Sequence, residues 1–186
     1  RFTPETRSLL PDRSVPFAEW MTTEDDLLAR MCAADVEPIA LVAMVKAALD
    51  IRELSDPDRV QLAMRAVLSA MTLALRSSEA SPFNVQLRQY ATAALPAVPP
   101  PPLSDRDRAY FNLLLRSHIE GRSFVPYGSL AAGVGLLLTS MRLARTIAPD
   151  DPGPVLSEWV RFALNKTVYP LLRRASPALV DVVRYS

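Results

Sequence analysis

Residues 130–138 read LAAGVGLLL, and this longest apolar run of the chain decides the fold. It has half the length of the ~18 apolar residues that a membrane span needs, so it predicts a buried core helix. A helix that is apolar on nearly every side is surrounded by other helices. Its small residues, among them Ala131, Ala132 and Gly135, allow a neighbouring backbone to approach closely. The run therefore predicts that the helix around residues 128–146 is the most buried one of a helical bundle.

Length and composition indicate one globular domain and exclude several kinds of site. The chain has 186 residues, of which 49% are hydrophobic and 22% charged, and its formal net charge is +1. This charge provides no overall field that would attract nucleic acid. The single cysteine, Cys32, excludes an internal disulfide, and the single histidine, His118, makes a catalytic triad improbable. Residue 1 is Arg rather than Met, which indicates a processed or cut chain.

Helical periodicity dominates the chain, and capping residues with prolines separate the helical segments. Serines at positions 55, 81 and 104 each precede a proline or an acid in the pattern of a helix start. Thr23, followed by three acids, predicts the cap of a first helix. The fold class predicted for residues 22–186 is therefore all-α. We expect a single-domain bundle of seven to nine helices around the glycine- and alanine-rich apolar helix.

Two segments are predicted to be extended. Residues 1–21 have few periodic apolar positions and are expected to form an irregular N-terminal arm. Residues 96–103 read PAVPPPPL and predict a stiff linker, because proline lacks a backbone donor and biases its predecessor away from helix. Such a stretch is also typical of ligands for proline-binding modules. No basic anchor adjoins it here, which favours the linker.

The sequence contains no motif of enzyme chemistry. It has no glycine-rich phosphate loop, zinc-binding spacing or nucleophile elbow. Acids such as Asp105 and Asp107 stand at predicted helix starts, where the helix dipole accounts for them. Arg173 and Arg174 fit two interpretations, phosphate contacts or hydrogen bonds to the carbonyls of a helix end. The sequence therefore predicts no catalytic residue, metal site or cofactor.

A Gly-Arg pair precedes the apolar run, and a tryptophan, a Leu-Asn pair, a proline and a tyrosine follow the run in that order. Residues 110–122 read YFNLLLRSHIEGR, a helix that ends in Gly121 and Arg122. Downstream come a tryptophan at 159, Leu-Asn at 164–165 and proline at 170. Residues 175–185 close the chain and end on a tyrosine. In this order, over about residues 83–186, the chain resembles the Bcl-2 family of apoptosis regulators.

The resemblance implies a protein that holds the amphipathic death-motif helix of a pro-apoptotic partner in an apolar groove. Arg122 is the implied partner of the ligand's aspartate. Thr92 stands where the family's own death motif has aspartate, which favours a pro-survival, sequestering role. The implied location is the cytoplasm, or the mitochondrial outer membrane through a C-terminal anchor missing from this chain. The groove residues are then Leu87, Tyr90, Tyr110, Leu114, Gly121, Arg122, Phe124 and Val125.

A second function fits the same sequence. The chain has the composition of a non-catalytic structural subunit of a large assembly, such as a viral coat or nucleocapsid protein or a component of an organelle complex. The arm, residues 1–21, would then clasp a neighbouring copy. Sedimentation separates the two hypotheses, because a groove protein predicts monomers or dimers. In the structural subunit, phosphates would be contacted by Arg106, Arg108, Arg142 and Arg145.

Overall fold

The computed structural model describes residues 5–33, 38–52, 54–75, 104–120, 128–163 and 168–186. These residues are mostly helical, as predicted, and they contain eight helices and one β-hairpin. The predicted linker at 96–103 and the predicted helix after Ser81 lie outside the described residues. The elements are β1 (Thr6–Leu10), β2 (Arg13–Pro16), α1 (Phe17–Ala33), α2 (Pro38–Leu49), α3 (Pro57–Leu75), α4 (Asp105–Glu120), α5 (Leu130–Ile147), α6 (Pro152–Ala163), α7 (Tyr169–Arg174) and α8 (Ser176–Tyr185).

Helix α5, which contains the LAAGVGLLL run, is buried over most of its length. Of its 18 residues, 14 are buried, and burial is unbroken from Leu130 to Met141. Helices α8, α6 and α2 and strand β1 all contact it. Within the described ranges, α5 alone is long and apolar enough to cross a membrane, and 78% of it is buried inside the protein. Such burial is what a core helix of a bundle requires.

Helix α8 packs against α5 so closely that two backbones touch. A Cβ atom placed on Gly135 would lie only 2.0 Å from the carbonyl oxygen of Leu179. On either side of this contact α8 buries the apolar side chains of Leu179, Val180, Val182 and Val183. A residue with any side chain at position 135 would separate the two helices. The small residue is therefore a packing requirement at this position.

Helix α3 also packs against α8, and polar contacts fix the end of α8 to the beginning of α3. The backbone N–H of Asp56 donates to the carbonyl oxygen of Tyr185 at 3.0 Å. The guanidinium of Arg59 donates to the Tyr185 hydroxyl at 2.6 Å and lies 4.8 Å from the centroid of the ring. The closing residues of the chain are thereby held against a segment 126 residues earlier.

The prediction of an irregular arm over residues 1–21 is wrong for residues 6–21. Strands β1 and β2 pair antiparallel across a short turn at residues 11–12, and α1 begins directly afterwards at Phe17. Leu9 and Val15 are only 1% and 6% exposed and belong to the same core cluster as Trp20. Two strands of four or five residues contain too few inward positions to show a period, and tertiary packing decides their structure.

The predicted cap at Thr23 is also wrong, because α1 begins six residues earlier. The hydroxyls of Thr22 and Thr23 donate to the carbonyl oxygens of Ala18 and Glu19, at 3.1 and 3.0 Å. Each hydroxyl bonds to the carbonyl of the residue four positions earlier, inside the helix. Ser and Thr side chains can form this bond instead of capping a helix start. The predicted beginning of α3, by contrast, is confirmed at Pro57.

We predict that Gly135→Ala lowers the stability of the protein. Alanine in a helix interior is ordinarily favoured over glycine by roughly 0.5–1 kcal/mol. Here the added Cβ collides with the Leu179 carbonyl, and overpacking of this kind costs about 1–3 kcal/mol or more. Gly153→Ala is the control, since its Cβ would have no neighbour nearer than 3.7 Å. Urea unfolding should show a loss for Gly135→Ala only; equal stability of the two variants would contradict the contact.

We also predict that Leu9→Ala destabilises the whole domain by about 2–5 kcal/mol, the usual cost of truncating a buried leucine. Leu62→Ala, at a position 68% exposed, should change the free energy of unfolding by no more than ~0.5 kcal/mol. Both are measured by chemical denaturation followed by circular dichroism. If the two variants unfold alike, the hairpin is not part of the core.

Candidate functional site

Helix α4 holds the two predicted groove residues that lie in the described part of the chain. It begins as predicted: the N–H of Asp107 donates to Ser104 Oγ at 3.1 Å, and that hydroxyl donates to the Asp107 carboxylate at 2.7 Å. Tyr110 and Leu114 follow one turn apart and are both partly buried against the core. The hydroxyl of Tyr110 donates to Ser157 Oγ of α6 at 3.0 Å. The structure therefore brings these two residues to one face of α4, toward α6 and the core.

The rest of the predicted groove is not described by the structure. Beside Tyr110 and Leu114, the solvent-facing side of α4 carries Leu113, which is 64% exposed. An apolar side chain that remains exposed next to the predicted groove residues adds to the apolar surface of this helix. The predicted groove residues that lie outside the described ranges are Leu87, Tyr90, Gly121, Arg122, Phe124 and Val125.

Helix α5 begins in a sharply turned segment. Gly128 has φ of +100°, a conformation that favours glycine, and Ser129 follows as the N-cap. The Ser129 side chain accepts from the N–H of Ala132 at 3.1 Å. Since α5 starts at Leu130, seven residues separate it from Arg122. Arg122 itself lies outside the described residues.

A cleft of about 380 Å³ lies at the start of α5. Four parts of the chain meet there: the hairpin, α1, the turn before α5, and α7. Neither the hairpin nor the cleft was predicted from the sequence. Arg173 was the single sequence signal, through its interpretation as a phosphate contact. The residues that line the cleft include Arg7, Ser8, Trp20, Gly128, Ser129 and Arg173.

The two arginines of the cleft are held in different ways. The guanidinium of Arg7 forms an ion pair with Glu5, donates to the carbonyl oxygen of Thr6 at 3.2 Å and lies 5.5 Å from the centroid of the Phe17 ring. Its Nε atom is buried and has no hydrogen-bond partner in the described structure. Arg173 is exposed and, among the described residues, makes no hydrogen bond or ion pair.

The interpretation of Arg173 as a cap for the carbonyls of its helix is therefore wrong. The carbonyl oxygens of Leu171 and Arg173 accept instead from the backbone N–H of Ala175, which ends α7. The Arg173 side chain extends toward Gly128, where a Cβ would lie 3.6 Å from its Cγ atom.

The four arginines proposed to contact phosphate in a structural subunit are engaged within the chain. Arg106 pairs with Asp151 at 3.5 Å, and Arg108 pairs with Asp105 at 3.4 Å. Arg142 and Arg145 lie partly buried on α5, and both have partners in the protein. Burial lowers the pKa of the Arg142 guanidinium. Nor do the described ranges contain three His, Cys, Asp or Glu residues close enough together to hold a metal ion.

Comparison of the chain with family models, with curated proteins and with solved structures found no match.

We predict that Ser129→Ala lowers the free energy of unfolding by about 1 kcal/mol, within the range of roughly 0.5–2 kcal/mol for a lost N-cap. The variant leaves the Ala132 N–H without its acceptor in a buried position. Ser69→Ala, on the exposed surface of α3, is the matched control and should be neutral or slightly stabilising. Denaturant titration of both variants provides the measurement. A neutral Ser129→Ala would show that the cap contributes nothing to α5.

Proposed function

We propose that this protein is a Bcl-2-like regulator that binds the amphipathic death-motif helix of a pro-apoptotic protein in an apolar groove beside α4. The proposal includes a Bcl-2-like bundle with α5 as its central helix, a pro-survival role and no cofactor. It also includes action in the cytoplasm or at the mitochondrial outer membrane. The observation that carries it is the correspondence between the segments of the resemblance and successive helices.

Each resembling segment within the described residues coincides with one helix. Residues 110–120 lie in α4, the apolar run 130–138 lies in α5, and residue 159 lies in α6. Pro170 stands in the first turn of α7, where proline is tolerated, and α8 ends on Tyr185. The burial of α5 by the helices that follow it in sequence supports the proposal further.

The physical basis of the proposed binding is burial of apolar side chains spaced along one face of the ligand helix. Helix-in-groove recognition uses anchors at i, i+3, i+4 and i+7. On α4, Tyr110 and Leu114 are partly buried toward α6 and the core, and Leu113 adds exposed apolar surface on the solvent-facing side of the helix. The register of the ligand would be set by a charge-assisted hydrogen bond between its aspartate and Arg122, which is stronger than a neutral one.

The alternative function, a structural subunit of a large assembly, has less support than the groove protein. In that hypothesis the arm clasps a neighbouring copy, yet residues 6–16 fold back on their own chain, with Leu9 and Val15 in its core. The four arginines assigned to phosphate contacts are engaged intramolecularly. Sedimentation velocity on the full chain distinguishes the two functions: monomers or dimers support the groove protein, and a large assembly supports the subunit.

We predict that Arg122→Ala weakens the binding of a death-motif peptide by roughly tenfold or more. A partly desolvated, charge-assisted hydrogen bond contributes about 1.5–3 kcal/mol, and ~1.4 kcal/mol corresponds to one decade of affinity. The measurement is a fluorescence titration with a labelled peptide and with the same peptide carrying alanine in place of its aspartate. Folding of the variant is checked by circular dichroism.

The matched control is Arg116→Ala, an exposed arginine of α4 without a partner in the described structure. If Arg122 pairs with the aspartate, the Asp-to-Ala peptide should bind wild type and Arg122→Ala alike, while Arg116→Ala keeps the full discrimination. An equal loss of affinity for the wild type and the Arg122→Ala protein would show that the two groups are not coupled. No saturable binding by any peptide of a death-motif panel would overturn the proposed function itself.

A further inference from the structure

We propose that the cleft at the start of α5 binds the phosphoryl group of a small phosphomonoester, with Arg173 as its principal cation and Arg7 as its second. The site shares no residue with the predicted groove and does not depend on the proposed function. Two guanidiniums from distant parts of the chain line the cavity. Arg7 is ion-paired with Glu5, whereas Arg173 has no hydrogen bond or ion pair among the described residues.

Arg173 is available to a ligand. Its side chain lines the cleft, is exposed and has no hydrogen bond or ion pair among the described residues. Its stem passes close to Gly128, where a Cβ would lie 3.6 Å from Arg173 Cγ and 3.2 Å from Ser176 Oγ. The stem of Arg173 therefore lies beside the turn that precedes α5, and its side chain forms part of the cleft lining next to Gly128 and Ser129.

Arg7 is held in place by the protein rather than free. Its ion pair with Glu5, its bond to the Thr6 carbonyl and its position over the Phe17 ring restrict the guanidinium. Its Nε atom is buried and has no hydrogen-bond partner in the described structure. The restrained Arg7 guanidinium is therefore a fixed part of the cleft lining, and a ligand that contacts it would not have to order it.

The electrostatics of the cleft favour a dianion. Two guanidiniums line it, and Glu5 is paired with Arg7, so among the described lining residues the charge of Arg173 remains uncompensated. The N-terminus of α5, an 18-residue helix, adds about half a positive charge at Ser129. The fork of an arginine side chain matches the oxygens of phosphate in a bidentate geometry. A phosphoryl group at pH 7 has the charge that balances this excess.

The cleft is large enough to hold a small molecule that carries a phosphoryl group, not only a free phosphate ion. Its volume of about 380 Å³ falls within the range of about 300–1,000 Å³ that is typical of small-molecule sites. Trp20 contributes apolar surface to the lining. Ser8 contributes a hydroxyl, which forms a hydrogen bond with the Ser14 hydroxyl at 3.1 Å. The phosphoryl group would lie between the arginines, and the group that it is attached to would occupy the remaining volume.

The test is an NMR titration of the 186-residue chain at constant ionic strength, with sodium chloride replacing each ligand. Inorganic phosphate, glycerol 3-phosphate and adenosine monophosphate are added separately, and the amide signals of Gly128, Ser129 and Leu130 are followed. We expect saturable shifts of these signals with at least one ester. The ester that binds more tightly identifies the source of the phosphoryl group, a headgroup-like polyol phosphate or a nucleotide.

Arg173→Gln should weaken the binding of that ester at least tenfold, whereas Arg174→Gln, its exposed neighbour outside the cleft lining, should leave it unchanged within twofold. Because Arg7 contacts Glu5 and Phe17, Arg7→Gln is interpreted only together with its thermal unfolding curve. Equal loss in Arg173→Gln and Arg174→Gln, binding of free phosphate but of neither ester, or no saturable shift would overturn the proposal. None of these results bears on the death-motif titration.

Discussion

The contact between the backbones of α5 and α8 at Gly135 is the constraint on which the rest of the structure depends. An apolar helix can be buried on all sides only if its neighbours come close enough to exclude water. At Gly135 the carbonyl of Leu179 occupies the space of a side chain. This approach allows the valines and leucine of α8 to be buried, and α8 in turn contacts α3. Loss of the contact would therefore loosen three helices at once.

The cleft and helix α4 are both positioned by α5 through its neighbours. The turn that starts α5 forms one side of the cleft, and strand β1 and α7 bring the two arginines to that turn. Helix α6 contacts α5, and its Ser157 accepts a hydrogen bond from the Tyr110 hydroxyl, which ties α4 to α6. A rigid central element with binding residues on the segments around it is a common way to hold a site in a fixed geometry.

The parts of the fold that the sequence could predict are those encoded by local pattern. Three such features each depend on residues within one or two turns of each other. They are the helix of residues 130–138, the N-terminal cap formed by Ser104 and Asp107, and the beginning of α3 at Pro57. Thr23 shows the limit of this reasoning, since the same threonine hydroxyl can cap a helix or bond one turn back within it. The sequence does not decide between the two.

The hairpin and the cleft are not encoded locally, so sequence reasoning missed them. Leu9 and Val15 are buried because α1 and α5 cover them, and two inward residues show no recognisable period. Arg7 and Arg173 are 166 residues apart and meet only in the folded chain. For the predicted groove, the structure places Tyr110 and Leu114 on one face of α4, and the assignment of these two and of the other groove residues stays a prediction.

Native-state hydrogen exchange tests most directly the central claim that the close packing of α5 against α8 holds the domain together. We expect the amides of Val134 to Leu138 to exchange with solvent only when the whole domain unfolds. Their opening free energy should equal the free energy of unfolding obtained from denaturant. An opening free energy for these amides clearly below the global value, with the amides of α3 still fully protected, would contradict it.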